Sequence, residues 1–296
     1  MPGVPTGILL VLLSAAGFGA MGVFGKLAYE EGSTVATLLS VRFVVAALLL
    51  WAVVLATGRW RALPRRDLAI ALALGAVGYG AQAGAYFAAL DRLDASVLAM
   101  LVYTFPVIVT VAAVLLGRDA ASSRTAVALG LGCGGLALVL TGSVAGALDG
   151  AGVVLGLAAA GCYSVYILIS EGVGARIGPL VLAALLCTGA ATTLTAGGLV
   201  SGQLDLGAVS PEGLGWLVAL AVVSTVGAIA LFLAGLQRVG PSSAAILSTL
   251  EPVVTVVGAS VVFGETLGPA QLAGGALVLS AVLVLRVPAA RTAVAT

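Results

Sequence analysis

The chain has 296 residues, of which 61% are hydrophobic and only 8% charged, with a formal net charge of +1 and a mean hydropathy of +1.22. Soluble domains carry about 25% charged residues, so composition alone excludes a water-soluble globular protein. There is no histidine, which removes Ser–His hydrolysis, His-ligated zinc and His proton relays together. The 41 glycines suit close helix packing in a membrane, since disordered low-complexity sequence would need more polarity.

A membrane span needs about 20 apolar residues. Ten runs qualify, at roughly 7–28, 35–57, 68–90, 94–117, 125–143, 151–170, 179–201, 213–236, 241–263 and 269–286. The loops are short, so no soluble domain is expected between them. The first run lacks a preceding basic region and continues to full membrane length, so it is expected to be a span and not a cleavable signal peptide. An even count puts both termini on one side. The loops on that side and the tail hold Arg59, Arg61, Arg65, Arg66, Arg118, Arg124, Arg176, Arg238, Arg286 and Arg291; the other side has Lys26 and Arg92. Positive residues mark the cytoplasmic face, which predicts cytoplasmic termini in a cell membrane. The basic cluster from 59 to 66 is a topogenic loop near anionic lipid, not a nucleic-acid site. Cys133, Cys162 and Cys187 have no metal-like spacing and are expected to pack as small apolar residues.

The chain is organised by a duplication. Pro252 follows Pro106 by 146 residues, and the same ungapped shift lays Arg92 on Arg238, Ser96 on Ser242, Leu101 on Leu247 and Asp119 on Glu265. Ala15, Ala16 and Gly17 recur as Ala159, Ala160 and Gly161 at a shift of 144. Two repeats follow, 1–146 and 147–296. Five spans per repeat is an odd number, so the second repeat is inverted relative to the first. The expected fold is an all-α integral membrane protein of ten transmembrane helices in two inverted five-helix repeats. Secondary transporters share this architecture, with the substrate site near the midplane.

Several residues resemble the EamA-type branch of the drug/metabolite transporter superfamily. The second half carries Gly240, Ser243-Ala244-Ala245, Leu250-Glu251-Pro252-Val253, Gly264-Glu265 and Gly274-Gly275. The first half carries Phe18-Gly19 with Lys26, Arg42-Phe43 and Ala88-Ala89-Leu90. The resemblance covers essentially the whole chain. It implies a ten-helix carrier, usually an exporter of amino acids, metabolites or toxic compounds, with spans of both repeats lining a central cavity. The chain departs from the pattern where Phe105 stands opposite Glu251 and Arg118 opposite Gly264, in an aromatic motif reduced to Phe18, and at Glu171. The departures bear on substrate and not on fold.

The candidate site residues are the polar groups inside spans, which are expensive in hydrocarbon and kept for a use. Glu251 is foremost, as a protonatable group or an anchor for an amino group. Its structural alternative is a hydrogen bond to backbone freed near Pro252, or an ion pair with Arg42 or Lys26. Ser248, Glu251 and Thr255 share one helical face, with Ser242 and Thr249 on the neighbouring stripe; the hydroxyls can equally bond their own backbone. Tyr79, Gln82 and Tyr86 share a face of the third span, and Tyr103, Tyr163 and Tyr166 add rings with polar tips, all suited to a small amphipathic solute. The plainer reading is interfacial tyrosine or interhelix hydrogen bonding, more so for Tyr163 than for Gln82. Arg42 is a gating partner, a ligand for a substrate carboxylate, or a snorkelling side chain. Lys26, Pro106 and Pro252 complete the coupling and gating set, the prolines as kinks. Gly80/Gly84, Gly130/Gly134 and Gly152/Gly156 are expected to let helices approach.

The expected function is secondary active transport, an exporter of amino acids or related small metabolites or toxic compounds working by alternating access, with a proton as the candidate coupling ion. An uncoupled facilitator and a flippase for lipid-linked molecules are the alternatives. No enzyme is expected: Asp91 and Asp94 form a DxxD, but at a helix junction where an aspartate N-cap is ordinary. No catalytic residue, metal or cofactor is expected. The partners are the bilayer and a small molecule, and a monomer is the default.

Overall fold

Backbone in hydrocarbon has no solvent to bond, so each apolar run must close its hydrogen bonds internally as helix. The computed structural model describes residues 4–60, 62–116, 123–141 and 148–286, and these form helices with no strand among them. In chain order the helices are α1 (Val4–Gly19), α2 (Met21–Glu30), α3 (Val35–Ala56), α4 (Arg65–Ala73), α5 (Gly80–Leu90), α6 (Ala95–Val102), α7 (Phe105–Leu115), α8 (Ser123–Thr141), α9 (Gly150–Ile177), α10 (Pro179–Val200), α11 (Pro211–Ala221), α12 (Ala228–Leu247), α13 (Leu250–Phe263) and α14 (Pro269–Arg286). Two π-helical segments, Leu74–Tyr79 and Val222–Gly227, join α4 to α5 and α11 to α12.

Six helical stretches among the described residues are long and apolar enough to cross a membrane: Pro5–Glu30, Val35–Ala56, Arg65–Leu90, Ala95–Ala112, Pro179–Val200 and Pro211–Val239. Four shorter apolar helices, Thr125–Val139, Gly150–Tyr166, Leu250–Phe263 and Pro269–Val284, fall on the other expected runs. The outer surface suits lipid: Val200 is 90% exposed and Val261 80%, a cost in water that lipid does not impose. One boundary differs. Helical backbone continues through 237–240, where a loop is expected.

The two halves repeat special features and not only sequence. Gly32 (φ 88°) and Gly178 (φ 83°), also 146 residues apart, both end long helices in the left-handed region that glycine enters without strain. Among the described residues, each half has one π-helical segment in its third expected span, starting at Leu74 and Val222. Each also has a helix interrupted over two residues: α6 gives way to α7 at Tyr103–Thr104, and α12 to α13 at Ser248–Thr249. The packing follows the same exchange. α1 lies against α12 and α13, α9 correspondingly against α5, α6 and α7, and α3–α10 and α8–α14 pair across the halves.

Close approach is concentrated at particular glycines. A Cβ on Gly75 would lie 2.2 Å from the Leu186 carbonyl oxygen, and one on Gly189 would lie 2.3 Å from that of Leu72. Gly135 and Gly274 oppose each other, each potential Cβ 2.6 Å from the other's carbonyl oxygen. Among the glycines expected to pack, Gly152 and Gly156 do meet Leu93, Leu98 and Leu101. Gly84, Gly130 and Gly134 face open space and Gly80 makes only loose contact. Spacing identifies a helix face but not whether another helix lies on it. The core between α2, α3, α5 and α10 holds the fully buried Phe43, Phe87, Leu38 and Leu50.

Candidate functional site

The site grows from the two helix breaks. A proline lacks the N–H its helix needs and clashes with the carbonyl four residues earlier, so the backbone yields just upstream of Pro106 and Pro252. The kinks are therefore full interruptions. At the first, the Thr104 hydroxyl donates to the Leu101 carbonyl at 2.7 Å. At the second, the carbonyl of Ser248, four residues before Pro252, accepts from the Tyr103 hydroxyl at 2.7 Å. A residue of one break thus satisfies the other. Glu251 lies in the first turn of α13, where a helix dipole favours negative charge. Gly19 brings α1 against this turn, since a Cβ there would lie 2.6 Å from the Glu251 carbonyl oxygen.

Around the breaks is a cavity of about 580 Å³, within the usual range of small-molecule sites. Both halves line it. The α5 face supplies Gln82 and Tyr86, and the end of the π segment supplies Tyr79. A chain of rings runs along one wall: Tyr79 stacked on Tyr166 at 5.7 Å, Tyr166 on Tyr163 at 6.0 Å, and Phe105 edge-on to both Tyr163 and Tyr103, with the core residue Phe43 edge-on to Tyr79 behind it. Among the described residues, Arg42 and Glu251 are the only charged ones in the wall. Arg42 is buried and donates from Nε to the Thr225 hydroxyl at 3.0 Å. Thr225 lies in the second π segment and itself donates to the Leu220 carbonyl, five residues back, so the π-helical backbone is what turns it towards α3.

The expected site residues separate into three groups. Tyr79, Gln82, Tyr86, Tyr103, Tyr166, Glu251, Arg42, Pro106 and Pro252 all line the cavity. Ser248 and Thr255 also line it, but their hydroxyls are bonded, Ser248 to the Ala244 carbonyl and Thr255 to the Gly19 carbonyl. Thr249 and Lys26 are not part of the wall. Thr249 sits within the break itself. Neither Lys26 nor Arg42 forms an ion pair with Glu251 among the described residues, because both cations are engaged elsewhere.

Lys26 belongs to a separate cluster. Its ammonium is 2.8 Å from Glu265 and 3.7 Å from Asp94. The Glu265 carboxylate also accepts the Ala95 and Ser96 backbone N–H groups at 3.0 Å each and the Ser96 hydroxyl at 2.7 Å. Asp94 stands at the N-cap position of α6 without a capping bond; Glu265, from the other half of the chain, caps that helix instead. Burial works to raise the Glu265 carboxyl, but the Lys26 ammonium, the Ser96 hydroxyl and the two amides together hold it below the usual carboxylate range.

Sequence reasoning undervalued three wall residues: Tyr163, Phe105 and Cys187. Phe105 was signalled by its position, one repeat length from Glu251. Cys187 had no local signal. Arg61, Arg118, Asp119 and Arg291 lie outside the described residues, as do the side chains of Arg124, Glu171, Ser242 and Arg286.

Comparison with known proteins bears on this arrangement. The model of the EamA-like transporter family matches twice, over residues 5–141 and 150–287. An "Uncharacterized transporter" of Archaeoglobus fulgidus is 30% identical over 199 residues, covering 67% of this chain and 70% of that protein. The "Uncharacterized transporter YwfM" of Bacillus subtilis is 32% identical over 139 residues, covering 47% and 46%. A solved structure described as "Crystal structure of protein" has a TM-score of 0.65 at 18% identity, covering 95% of this chain and 96% of that one. That likeness concerns the fold alone.

Proposed function

The chain belongs to the EamA-like transporter family and is an integral membrane transporter, and from that premise we propose that it is a secondary active exporter of amino acids or related small metabolites. In this reading ten helices cross the cytoplasmic membrane as two inverted repeats, 1–146 and 147–296, with both termini cytoplasmic. The transport unit is a monomer, and no nucleic acid takes part. The repeats alternate access to the central cavity, and the breaks at Pro106 and Pro252 serve as its hinges. The Lys26–Glu265–Ser96 cluster, which joins α2, α6 and the loop after α13, holds one end of the cavity closed. On the topology read from the basic residues, that end faces outwards.

The observation that carries the proposal is the unpaired Glu251 carboxylate in the wall of a cavity built by both repeats. It has no ion pair or side-chain hydrogen bond among the described residues, and it lies in electrostatic range of the Tyr86 and Tyr163 hydroxyls. A carboxylate in such a place is suited to exchange a proton as the cavity switches sides. The test is counterflow of labelled amino acids, one at a time, in liposomes of purified protein with and without a pH gradient. Glu251→Gln is expected to lose gradient-driven accumulation while keeping downhill exchange. Equal, gradient-independent exchange by both proteins makes the protein a facilitator with a structural carboxylate. No movement of any amino acid refutes the substrate class.

A further inference from the structure

The Arg42 side chain is 3% exposed and sits inside a helix of an apolar bundle. A guanidinium offers five N–H donors in a planar fork and has no neutral form to fall back on. Its surroundings here account for only part of it. The group lies over the rings of Phe43, at 5.0 Å, and Phe87, at 5.3 Å. Its Nε is held by the Thr225 hydroxyl. The two terminal nitrogens, carrying four of the five donors, have no acceptor and no carboxylate among the described residues. Arg42 is part of the cavity wall, so these donors are left for whatever occupies the cavity.

We propose that Arg42 is the ligand for a carboxylate on the transported molecule, which it grips end-on through both terminal nitrogens. The inference rests on the transport reading above and narrows its substrate class. Two parallel N–H bonds from a fork to a planar oxyanion give charge and geometry together, and two rings and one hydroxyl already hold the fork in place. The π-helical turn at Val222–Gly227 is then a positioning device for Thr225. Among the described residues, the wall's other charged group is Glu251, unpaired and of opposite sign. Tyr86, which lines the same cavity, lies in electrostatic range of both. A molecule with an anionic and a cationic group satisfies both. A diamine leaves Arg42 buried without a partner, and a dicarboxylate sets a second anion against Glu251.

The test is ligand-induced thermal stabilisation of the purified full chain, read as apparent Kd. The probes are L-leucine and L-phenylalanine, each as free acid and as its α-amide, which removes only the carboxylate charge. Wild type is expected to bind each acid at least about tenfold more tightly than its amide, the usual worth of a charge-assisted bond. In Arg42→Gln the ratio falls to about one. Arg42→Lys keeps the charge but not the fork, and Thr225→Val keeps the fork but not its anchor; both give intermediate ratios and serve if Arg42→Gln does not fold. The proposal is overturned if wild type binds none of the acids or does not prefer them. It is equally overturned if the preference survives in every variant that folds. Arg42-dependent binding of acids that reconstituted vesicles do not move refutes the transport reading and leaves the anion site standing. Transport that ignores the difference between acid and amide does the reverse.

Discussion

Replacing Glu265 with glutamine probes the cross-repeat cluster most directly. Each carboxylate oxygen accepts two bonds: Oε1 from Lys26 and the Ala95 amide, Oε2 from the Ser96 amide and hydroxyl. A glutamine keeps one acceptor oxygen and points an NH₂ at donors on the other side, so at least two of the four contacts are lost. A net bond to a charged group is worth about 1.5–3 kcal/mol, which puts the loss at about 3 kcal/mol or more. Lys26 is then left with Asp94 at 3.7 Å. If the cluster exists only when this end of the cavity is closed, the closed form loses about a hundredfold in population. Double electron–electron resonance between labels at Asp91→Cys and Thr266→Cys, in a background without the native cysteines, is expected to show a longer distance in Glu265→Gln. The same opening is expected of wild type in acid. Its folded value lies below the ordinary carboxylate one, so the cluster stabilises the closed form at neutral pH. That contribution fades as pH falls from about 4.3 through the folded value, and Glu265→Gln lacks this acid limb. An unchanged distance distribution together with an unchanged thermal midpoint refutes both the energetics and the gate.

Gly75→Ala is expected to lower the thermal midpoint, because its Cβ would lie 2.2 Å from backbone at Leu186 and overpacking costs about 1–3 kcal/mol. Gly84→Ala, with nothing within 4 Å, is expected to be neutral or slightly stabilising. Equal effects in a thermal unfolding assay refute the packing assignment. Tyr103→Phe removes the hydroxyl that bonds the Ser248 carbonyl while keeping the ring. That carbonyl still accepts from the Glu251 amide, so the expected loss is modest, about 1 kcal/mol, with slower transport in the vesicle assay. Transport at the wild-type rate shows that the break needs no such tie. Arg92 and Asp149 form an exposed pair at 3.1 Å, chiefly through the hydrogen bond by which Arg92 lowers the Asp149 carboxyl. Asp149→Asn is expected to leave the thermal midpoint unchanged, as exposed pairs contribute little; a marked drop refutes this.

The places where sequence reading succeeded and failed have a common cause. Tyr79, Gln82 and Tyr86 share a face because α5 continues regularly beyond the π segment, and that face meets the cavity. Pro106 and Pro252 marked the breaks because the clash they cause is with their own helix. Gly84 and Gly130 carried the same spacing as Gly152 and Gly156, yet no neighbour lies against them. Lys26 was grouped with Glu251 as a cation near an acid, whereas its partner is Glu265, 239 residues away.

The sequence by itself determined that this chain lives in a membrane, where its helices run, that its two halves repeat, and which polar groups are buried in apolar runs. Hydropathy, helical period and proline chemistry are local, acting within a turn or two of the residue that carries them. Only the tertiary structure decided that Arg42 is held by Thr225, that Tyr103 caps the break of the opposite half, and that Glu265 caps α6 in place of Asp94. Each pairing crosses from one half of the chain to the other. It depends on the phase that a π-helical turn or a broken helix imposes on whole segments, and no local pattern in either partner encodes that phase.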